Sequence, residues 1–347
     1  MQLITSGKEN WISMKNIFNE NKKICTIISD TPYSKDENGE FVGLDPTVEE
    51  IDHLGTLFKQ IYHFAPFYNN KPPRSFIKHQ KSNIRIIPMI PSGGSFFLKK
   101  LRHLLLFPLH ILKLRPYLKK TDIIHFRAPT GFGVLFLPWI YIFWSKKVWI
   151  KYGGSWNSKD VPLTYKFQRW LLLHFPKNAI ITVNNSSANL NRNFFQFLNP
   201  CFKNEIINNN KNIVYKKNFR NGLNLVFVGR IEKNKGIDDV LDIFQKIEDM
   251  KNINSLTIVG ESKREKYYKK KATIISPKIS ILGSLNREDI FKIYADSHVL
   301  ILLSKSEGFP KVIMEAGVFG CVPIVSSFSG ISEVIKHGSE GFIMNSY

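Results

Sequence analysis

Residues 225–260 read LVFVGRIEKNKGIDDVLDIFQKIEDMKNINSLTIVG. The apolar runs at 225–229 and 255–260 have the length and the β-branched content of buried strands. Between them, apolar side chains recur at helical spacing, at Ile237, Val240, Leu241, Phe244 and Ile247. A strand, a helix and a second strand in this order predict a parallel βαβ unit.

The same alternation of short apolar runs and helical patterns extends over most of the chain. Strands are predicted at residues 24–29, 61–64, 84–89, 122–126, 147–152 and 179–183, and again at 225–229, 255–260, 279–283, 299–303 and 322–325. Strands that alternate with helices form parallel sheets that are covered on both faces. The predicted fold class is therefore α/β.

Two sets of strands predict two Rossmann-like domains, at residues 24–203 and 223–347. An Asn/Lys-rich stretch at 204–222 is predicted to link them, and residues 1–23 form a polar extension. Open parallel sheets bind ligands beyond the carboxyl ends of their strands. We therefore expect the functional site in a cleft between the two domains.

The charge of the chain is large and uneven. The 347 residues include 49 Lys+Arg and 28 Asp+Glu, and the aromatic content of 13% excludes a disordered chain. Residues 1–222 have a net charge of +19, whereas residues 223–347 have a net charge of +2. This asymmetry predicts an anionic partner for the first half of the chain.

Cysteine content and apolar runs limit the class of protein. Three well-separated cysteines, at 25, 201 and 321, fit neither a disulfide framework nor a zinc site and favour a reducing compartment. Residues 1–23 lack the apolar core of a secretory signal. The uncharged stretch at 128–145 is either a membrane span or a buried helix, and its two prolines and two glycines favour the buried helix.

A glycine-rich turn follows the strand at 225–229. Arg230 comes directly after Gly229, and Lys235-Gly236 precedes the helix at 237–247. A guanidinium fork and an ammonium charge near a helix N-terminus suit a diphosphate. The alternative is a loop whose basic side chains are merely solvated.

A second cluster of polar residues follows the strand at 299–303. Residues 306–316 read SEGFPKVIMEA, in which Pro310 suits the first turn of a helix. Glu307 then precedes the helix and Glu315 lies inside it, about 12 Å apart if all eight residues are helical. Carboxylates at that separation can accept hydroxyl hydrogen bonds from both ends of a nucleotide sugar, although two glutamates alone are weak evidence.

Taken together and in their order along the chain, these features are more specific evidence of a protein family than any one of them alone. The chain carries these features in a fixed order: Gly-Arg, Lys-Gly, Ile-Val-Gly-Glu at 258–261, Gly283, Ala295-Asp296 and the segment at 304–315. In this respect the chain resembles the donor half of the retaining nucleotide-sugar glycosyltransferases of the GT-B fold, family 4. The resemblance covers residues 223–347 closely and the first half more loosely.

The resemblance implies roles for individual residues. Arg230 and Lys235 would hold the donor diphosphate and stabilise the charge on the departing nucleotide, as catalytic as well as binding residues. Glu307 would contact hydroxyl groups of the donor sugar and take part in catalysis.

Three further donor contacts are implied. Glu315 would bind the ribose hydroxyls, and backbone amides near Gly308 and Phe309 would touch the sugar. The chain contains no Asp-x-Asp, which fits a metal-independent enzyme with no cofactor besides the nucleotide-sugar co-substrate.

One candidate segment of the first half lies at the end of a predicted strand. Residues 122–127 read DIIHFR, where the family has a comparable Asp-x-x-His-x-His that places histidine near the reacting sugar. His125 fits the first histidine as a catalytic residue, and Arg127 replaces the second as an acceptor-binding residue. The alternative for His125 is a hydrogen-bonded core histidine.

Two glycine-bearing segments also belong to the predicted acceptor site. Lys151 and Trp156 lie in KYGGSW at 151–156, which suits a sugar- or lipid-contacting loop or, equally, a plain turn. Gly43 lies in a long loop at 31–46, which in the family approaches the acceptor and the diphosphate.

Residues 96–120 contain seven Lys/Arg and no acid among leucines and phenylalanines. Such a basic amphipathic segment can lie on an anionic membrane surface. It can also be a helix that packs on the sheet and exposes its basic side to solvent, and both can hold together.

The sequence thus predicts a retaining glycosyltransferase on the cytoplasmic face of a membrane. It would move a sugar to a glycan acceptor, lipid-linked in the leading hypothesis, during cell-surface polysaccharide or lipopolysaccharide synthesis. A soluble acceptor is the first alternative. A nucleic-acid-binding protein would fit the charge, but no helix-turn-helix, RNP-like aromatic pair or zinc finger is present.

A third alternative is a non-catalytic relative. Family members usually continue into C-terminal crossover helices beyond the position where this sequence stops, so we expect either a fragment or a less well braced cleft.

Overall fold

The computed structural model describes residues 23–91, 97–154, 156, 161–175, 179–184, 193–197, 204–307, 310–328 and 330–344. The polar extension predicted at 1–23 lies almost wholly outside these residues. The chain divides into two compact units, Met1–Pro72 with Phe76–Leu198 and Pro73–Ser75 with Asn199–Tyr347. Each unit is an α/β layer structure built around one parallel sheet, as predicted.

The first unit contains ten strands and four helices among its described residues. The strands are β1 (Ile24–Ile28), β2 (Tyr33–Lys35), β3 (Phe41–Leu44), β4 (Gln60–Pro66), β5 (Phe76–Lys78), β6 (Ile84–Met89), β7 (Ile123–Ala128), β8 (Lys147–Tyr152), β9 (Ala179–Val183) and β10 (Phe194–Gln196). The helices are α1 (Asp45–Gly55), α2 (Phe97–Leu118), α3 (Gly133–Phe143) and α4 (Leu163–His174). Seven strands pair in the parallel order β10-β9-β8-β7-β1-β4-β6.

The helices cover both faces of this sheet. Side chains of a strand point alternately to its two faces, and β7 shows the division. Ile124 and Phe126 pack with buried residues of α2, α3 and α4. Ile123 packs with Ile51 and Leu54 of α1 on the opposite face. The helices α2, α3 and α4 therefore share one face, and α1 lies on the other.

The long loop predicted at 31–46 instead contains two short strands, β2 and β3. β2 and β3 form a hairpin, and β5 pairs with β3, which gives a small antiparallel sheet. These strands have only three or four residues, too few for a period-two pattern to be distinguished from a polar loop.

The structure confirms the buried-helix interpretation of the uncharged stretch at 128–145. It contains the 11-residue helix α3, in which Phe136, Leu137 and Ile140 are fully buried. Within the described ranges, no helix combines the length and the apolar character that a membrane span requires.

The second unit contains a six-stranded parallel sheet. Its strands are β11 (Leu223–Val228), β12 (Ile253–Val259), β13 (Ile279–Gly283), β14 (Val299–Leu302), β15 (Val322–Ser326) and β16 (Phe342–Met344), in the order β13-β12-β11-β14-β15-β16. Its helices are α5 (Asn204–Lys216), α6 (Ile237–Ile247), α7 (Glu265–Ile275), α8 (Arg287–Asp296) and α9 (Lys311–Val318). The central strands β11 and β14 are almost completely buried, as an apolar run in a covered parallel sheet should be.

The segment predicted as a linker, 204–222, is mostly helix. α5 occupies residues 204–216 and is grouped with the second unit. Its Ile206 and Ile213 are seven positions apart, on one helical face, and pack against the core of that unit. The Asn/Lys-rich composition concealed these two anchors, because the outward positions of the helix are polar.

Candidate functional site

Polar side chains collect where the central strands of the second sheet end. β11 ends at Val228 and its neighbour β14 ends at Leu302. The loop after β11 carries Arg230 and Lys235, and the loop after β14 carries Glu307. Because parallel strands place their carboxyl ends at one edge, the sequence could predict that these residues share that edge.

Lys235 and Glu307 form an ion pair that is mostly buried. Lys235 Nζ lies 2.6 Å from Glu307 Oε1, and the two side chains are 17% and 13% exposed. Ser304 Oγ donates a hydrogen bond of 2.6 Å to the same oxygen. Ser326 Oγ in turn donates to the Ser304 carbonyl. The carboxylate of Glu307 is therefore fixed by two donors that come from different loops.

The backbone at Gly236 brings the two loops together. Gly236 has a φ of +73°, in the left-handed region, and it separates the turn at Lys233–Lys235 from α6. A Cβ at this position would lie 2.1 Å from the carbonyl oxygen of Leu303. Glycine is therefore required both for the conformation and for the close approach of the loop after β14.

Arg230 occupies a more open position than the sequence analysis implied. Its side chain is 65% exposed and forms an ion pair of 2.8 Å with Glu232, two residues away. The structure does not record a contact between Arg230 and Lys235 or Glu307 among the described residues. Arg230 thus lies on the same loop as Lys235, with a side chain accessible to a ligand.

Glu315 lies in α9, where its side chain is 10% exposed. Arg287, the first residue of α8, places its NH2 group 3.3 Å from Glu315 Oε1. The guanidinium of Arg287 also lies over the ring of Phe291, 5.3 Å from the ring centre. The sequence analysis predicted Glu315 but missed Arg287, since nothing in the sequence links residues 28 positions apart on two helices.

A buried tyrosine adjoins this pair. Tyr294 is fully buried, and its hydroxyl has no hydrogen-bond partner among the described residues. Burial raises the pKa of Tyr294 well above its ordinary value, and the nearby charge of Glu315 adds to the effect. Tyr294 is therefore a neutral phenol at physiological pH. The predicted sugar contacts Gly308 and Phe309 lie outside the described residues.

The first unit contains a charged cluster that the sequence analysis only half predicted. Arg127 in β7 and Lys151 in β8 are cross-strand partners. Arg127 donates two hydrogen bonds to Glu50 of α1, at 3.0 and 3.1 Å, and Lys151 Nζ lies 2.5 Å from Glu50 Oε1. Two cations therefore share the carboxylate of Glu50.

The charge state of Glu50 follows from its partners. Burial alone would raise the pKa of Glu50, but the charges of Arg127 and Lys151 and their hydrogen bonds outweigh it. They hold the pKa of the carboxyl well below its ordinary range. Glu50 is therefore ionised at all physiological pH values, and it orients both predicted acceptor-binding side chains.

His125 lies in the core of the first unit, as expected for the alternative of a hydrogen-bonded core histidine. It is fully buried and its ring stacks on Trp149 with centroids 3.8 Å apart. Nδ1 lies 3.3 Å from the Trp149 carbonyl oxygen, and Nε2 has no partner among the described residues. Burial lowers the pKa of His125 to about 3, with Arg127 contributing in the same direction. The imidazole is therefore neutral.

Gly43 and Trp156 have structural roles at their positions. Gly43 lies in β3 against the ring of Tyr33, where a Cβ would come within 2.6 Å of Tyr33 Cε1. Trp156 is 7% exposed and packs edge-on against Tyr152 and Phe194 in the core of the first unit. Both residues are packed into the fold of the first unit, and Trp156 is almost fully buried there.

A chain of buried hydrogen bonds lies beside the charged cluster and was not predicted. His79 contacts Asp52 at 2.7 Å and the Tyr33 hydroxyl at 2.8 Å. The same hydroxyl lies 3.1 Å from His63 Nδ1, and His63 Nε2 lies 2.7 Å from Ser29 Oγ. The chain connects α1 to the loop after β1 through five side chains. No spacing in the sequence reveals it, because its members come from five separate segments.

The family model described as glycosyl transferases group 1 matches residues 209–347. This segment, 139 of the 347 residues, is similar to the group 1 glycosyltransferases. It contains Arg230, Lys235, Glu307 and Glu315, so these four predicted donor-site residues all lie inside the matched segment. The match supports the predicted resemblance for residues 209–347 at the level of the group 1 glycosyltransferases, while the retaining mechanism and family 4 stay predictions.

Curated relatives match over about a third of the chain. A protein of Klebsiella pneumoniae, described as an uncharacterized 41.2 kDa protein in the cps region, is 28% identical over 136 residues, which are 39% of this chain and 35% of that protein. The match spans about a third of the length of the first curated relatives, between 30% and 35%.

Solved structures resemble a larger part of the chain. Sucrose-phosphate synthase from Thermosynechococcus elongatus has a TM-score of 0.66 at 14% identity, covering 93% of this chain and 86% of that chain. HepE of Anabaena in complex with UDP-glucose has a TM-score of 0.62 at 13% identity, covering 93% and 85%. At these identities the likeness establishes the fold, which is that of the GT-B glycosyltransferases.

Proposed function

We propose that this protein is a retaining glycosyltransferase of family 4, which moves a sugar from a nucleotide-diphosphate donor to a glycan acceptor. The observation that carries the proposal is the Lys235–Glu307 ion pair at the carboxyl edge of the second sheet, inside the segment matched to the group 1 glycosyltransferases. Both residues match the positions that the family uses for the donor. The UDP-glucose bound to HepE supports a nucleotide sugar as the co-substrate.

The donor would bind across the loops that follow β11 and β14. Arg230, with its exposed guanidinium, and Lys235 would contact the diphosphate. Glu307 would accept hydrogen bonds from sugar hydroxyls, and Glu315 would accept them from the ribose. Ser304 and Arg287 would orient these two carboxylates, since each donates to one of them.

The reaction would exchange one C–O bond for another. The bond between the anomeric carbon and the diphosphate oxygen breaks, and its electron pair leaves with the nucleoside diphosphate. The acceptor hydroxyl oxygen forms the new bond and loses its proton to the departing diphosphate. Arg230 and Lys235 would stabilise the negative charge that develops on that diphosphate, without a metal ion.

The acceptor would meet the first unit. Arg127 and Lys151 are two cations that share the carboxylate of Glu50, and such a pair of cations suits an anionic group such as a phosphate. We therefore propose a lipid-linked glycan acceptor, and a role in cell-surface polysaccharide or lipopolysaccharide synthesis at the cytoplasmic face of a membrane. His125 stays a proposed catalytic residue only if its ring becomes accessible, because it is fully buried in this structure.

Product analysis tests the proposal directly. The full chain is incubated with a panel of radiolabelled nucleotide sugars and with bacterial lipid extract, with and without EDTA. We expect one donor to transfer label into the organic phase, release of its nucleoside diphosphate, and no effect of EDTA. The anomeric coupling of the product, read by NMR, should match that of the donor. An inverted product, or loss of activity with EDTA, would contradict the mechanism.

A further inference from the structure

The outward face of α2 carries a row of exposed leucines. Leu105, Leu109 and Leu112 are 69%, 54% and 62% exposed. Their spacing of four and three residues places them in one stripe along the helix. Leu114 and Leu118, on the opposite side of the helix, are buried in the core of the first unit. The helix is therefore apolar on two sides, and the core covers only one of them.

A second apolar row lies on α4. Leu163, Phe167 and Trp170 are 81%, 36% and 47% exposed, again at spacings of four and three. The rings of Phe167 and Trp170 stack at 6.0 Å, and Trp170 stacks on His174 at 5.3 Å. Stacking holds these large side chains together at the surface without burying them.

Both rows point away from the same face of the sheet. α2, α3 and α4 all pack on the face formed by residues such as Ile124 and Phe126. Phe107 of α2 packs on Phe136 of α3 at 5.1 Å, and α3 lies beside α4. The rows on α2 and α4 therefore belong to one side of the first unit.

The charges around these rows have one sign. The helices α2 and α4 contain no Asp or Glu. Basic residues flank the apolar rows, and the exposed ones are Arg102, Lys113, Arg115, Lys119, Lys120 and Lys166. An apolar surface with a uniformly basic border is complementary to a lipid interface with anionic headgroups.

We infer that the leucine–aromatic face, formed by Leu105, Leu109 and Leu112 of α2 with Leu163, Phe167 and Trp170 of α4, docks the protein on an anionic lipid bilayer. The two helices would lie in the plane of the interface, with leucine and aromatic side chains at the level of the headgroups. The sequence analysis predicted such a contact only for residues 96–120, and α4 was not part of it.

The inference deepens the proposed function, on which the choice of a bilayer partly rests. A lipid-linked acceptor has its glycan at the membrane surface, so a docked first unit would keep the acceptor close to Arg127 and Lys151. The one-sided charge argues against a second copy of the chain as the occupant, because two basic faces would repel each other.

Vesicle flotation with the full chain tests the inference. The wild-type protein should float with vesicles of phosphatidylcholine and phosphatidylglycerol, and much less with phosphatidylcholine alone. Added NaCl should weaken binding, because it screens the basic residues. Replacing Lys113, Lys119 and Lys120 by Ala should lower the partition coefficient roughly fivefold per residue.

The apolar rows are tested separately. The variants L105S/L109S/L112S and F167S/W170S should each reduce partitioning, on the order of tenfold per leucine that inserts fully. A matched control is I274S with K266A/K269A/K270A, which changes equally exposed residues of α7 in the second unit. The control should float like the wild type, and all variants should keep the wild-type far-UV circular dichroism.

Three results would overturn the inference. They are no flotation of the wild type, unchanged flotation of both apolar variants, and a concentration-dependent dimer that the leucine variant abolishes without any vesicle binding. Donor binding, measured on the same samples, separates this test from the proposed function. Flotation without donor binding would support the docking surface and contradict the proposed glycosyltransferase. Donor binding without flotation would support the proposed donor site and contradict the docking surface.

Discussion

Lys235 Nζ lies 2.6 Å from Glu307 Oε1, although 72 positions separate the two residues in the chain. The contact joins the loop after β11 to the loop after β14, at the edge where a parallel sheet binds its ligands. Ser304 donates to the same oxygen. A carboxylate held in this way is positioned before any ligand arrives.

The ion pair should be visible as an energetic coupling. We expect Lys235→Ala and Glu307→Ala each to lower the free energy of unfolding by about 1–3 kcal/mol. Each change removes the ion-pair partner of a charged side chain that stays mostly buried. The double variant should cost less than the sum of the two, with an interaction energy of about 0.5–3 kcal/mol. Urea unfolding of the four proteins measures this, and strictly additive effects would mean that the pair is not formed.

Glu50 should be a structural requirement of the first unit. Glu50→Gln would leave Arg127 and Lys151 without their shared carboxylate, and removing one partner of a buried pair costs about 3–5 kcal/mol. The matched control is Glu40→Gln, whose partner Lys78 is more than half exposed. The control should change stability by at most about 1 kcal/mol. Equal effects of the two changes on urea unfolding would refute the buried cluster.

His125 should make the protein less stable in acid. Its pKa is about 3 when folded and near 6.5 when unfolded, so the unfolded chain binds the extra proton between these values. Stability should therefore fall as the pH drops below 6.5, with a slope from this group of at most about 1.4 kcal/mol per pH unit. His125→Gln should flatten the slope relative to that of the wild type. Denaturant unfolding at several pH values measures both, and identical slopes would contradict the buried histidine.

Gly236 and Gly283 offer a controlled comparison, because both have a φ of +73°. A Cβ on Gly236 would meet the Leu303 carbonyl, whereas a Cβ on Gly283 would meet nothing within 4 Å. Both alanine variants should pay the conformational cost, of order 1–3 kcal/mol. Gly236→Ala should cost an additional 1–3 kcal/mol or more through the clash. If both shift the unfolding midpoint equally, the two loops are not in contact.

The sequence predicted the long apolar elements well. β6, β8, β13 and α6 have the predicted bounds, because each is a short run rich in apolar side chains or a regular amphipathic helix. Short and polar elements were missed, including the three-stranded sheet and α5. In these elements two or three buried side chains decide the structure, and polar neighbours obscure their pattern.

The candidate sites also contain residues that the sequence pattern reveals and residues that only the packing of the chain brings together. Residues beside strand ends, such as Lys235 and Glu307, could be found from the topology that the sequence predicts. Glu50 could not, because 101 positions separate it from Lys151 and only the packing of α1 brings them together. For His125 the sequence left two alternatives open, because the same spacing fits a buried core histidine and an accessible histidine at the end of a strand.

The binding of a nucleotide sugar by the segment at 209–347 is the central claim, and ligand-induced thermal stabilisation of the full chain tests it most directly. The unfolding midpoint is measured against increasing concentrations of each sugar in a panel that includes UDP-glucose, for the wild type, Arg230→Ala, Glu315→Ala and the control Lys266→Ala. We expect one donor to stabilise the wild type and the control, by about 2.7 kcal/mol at a hundred times its dissociation constant, and both site variants to lose much of that shift. A folded wild type that no donor stabilises, or equal shifts in all four proteins, would contradict the account.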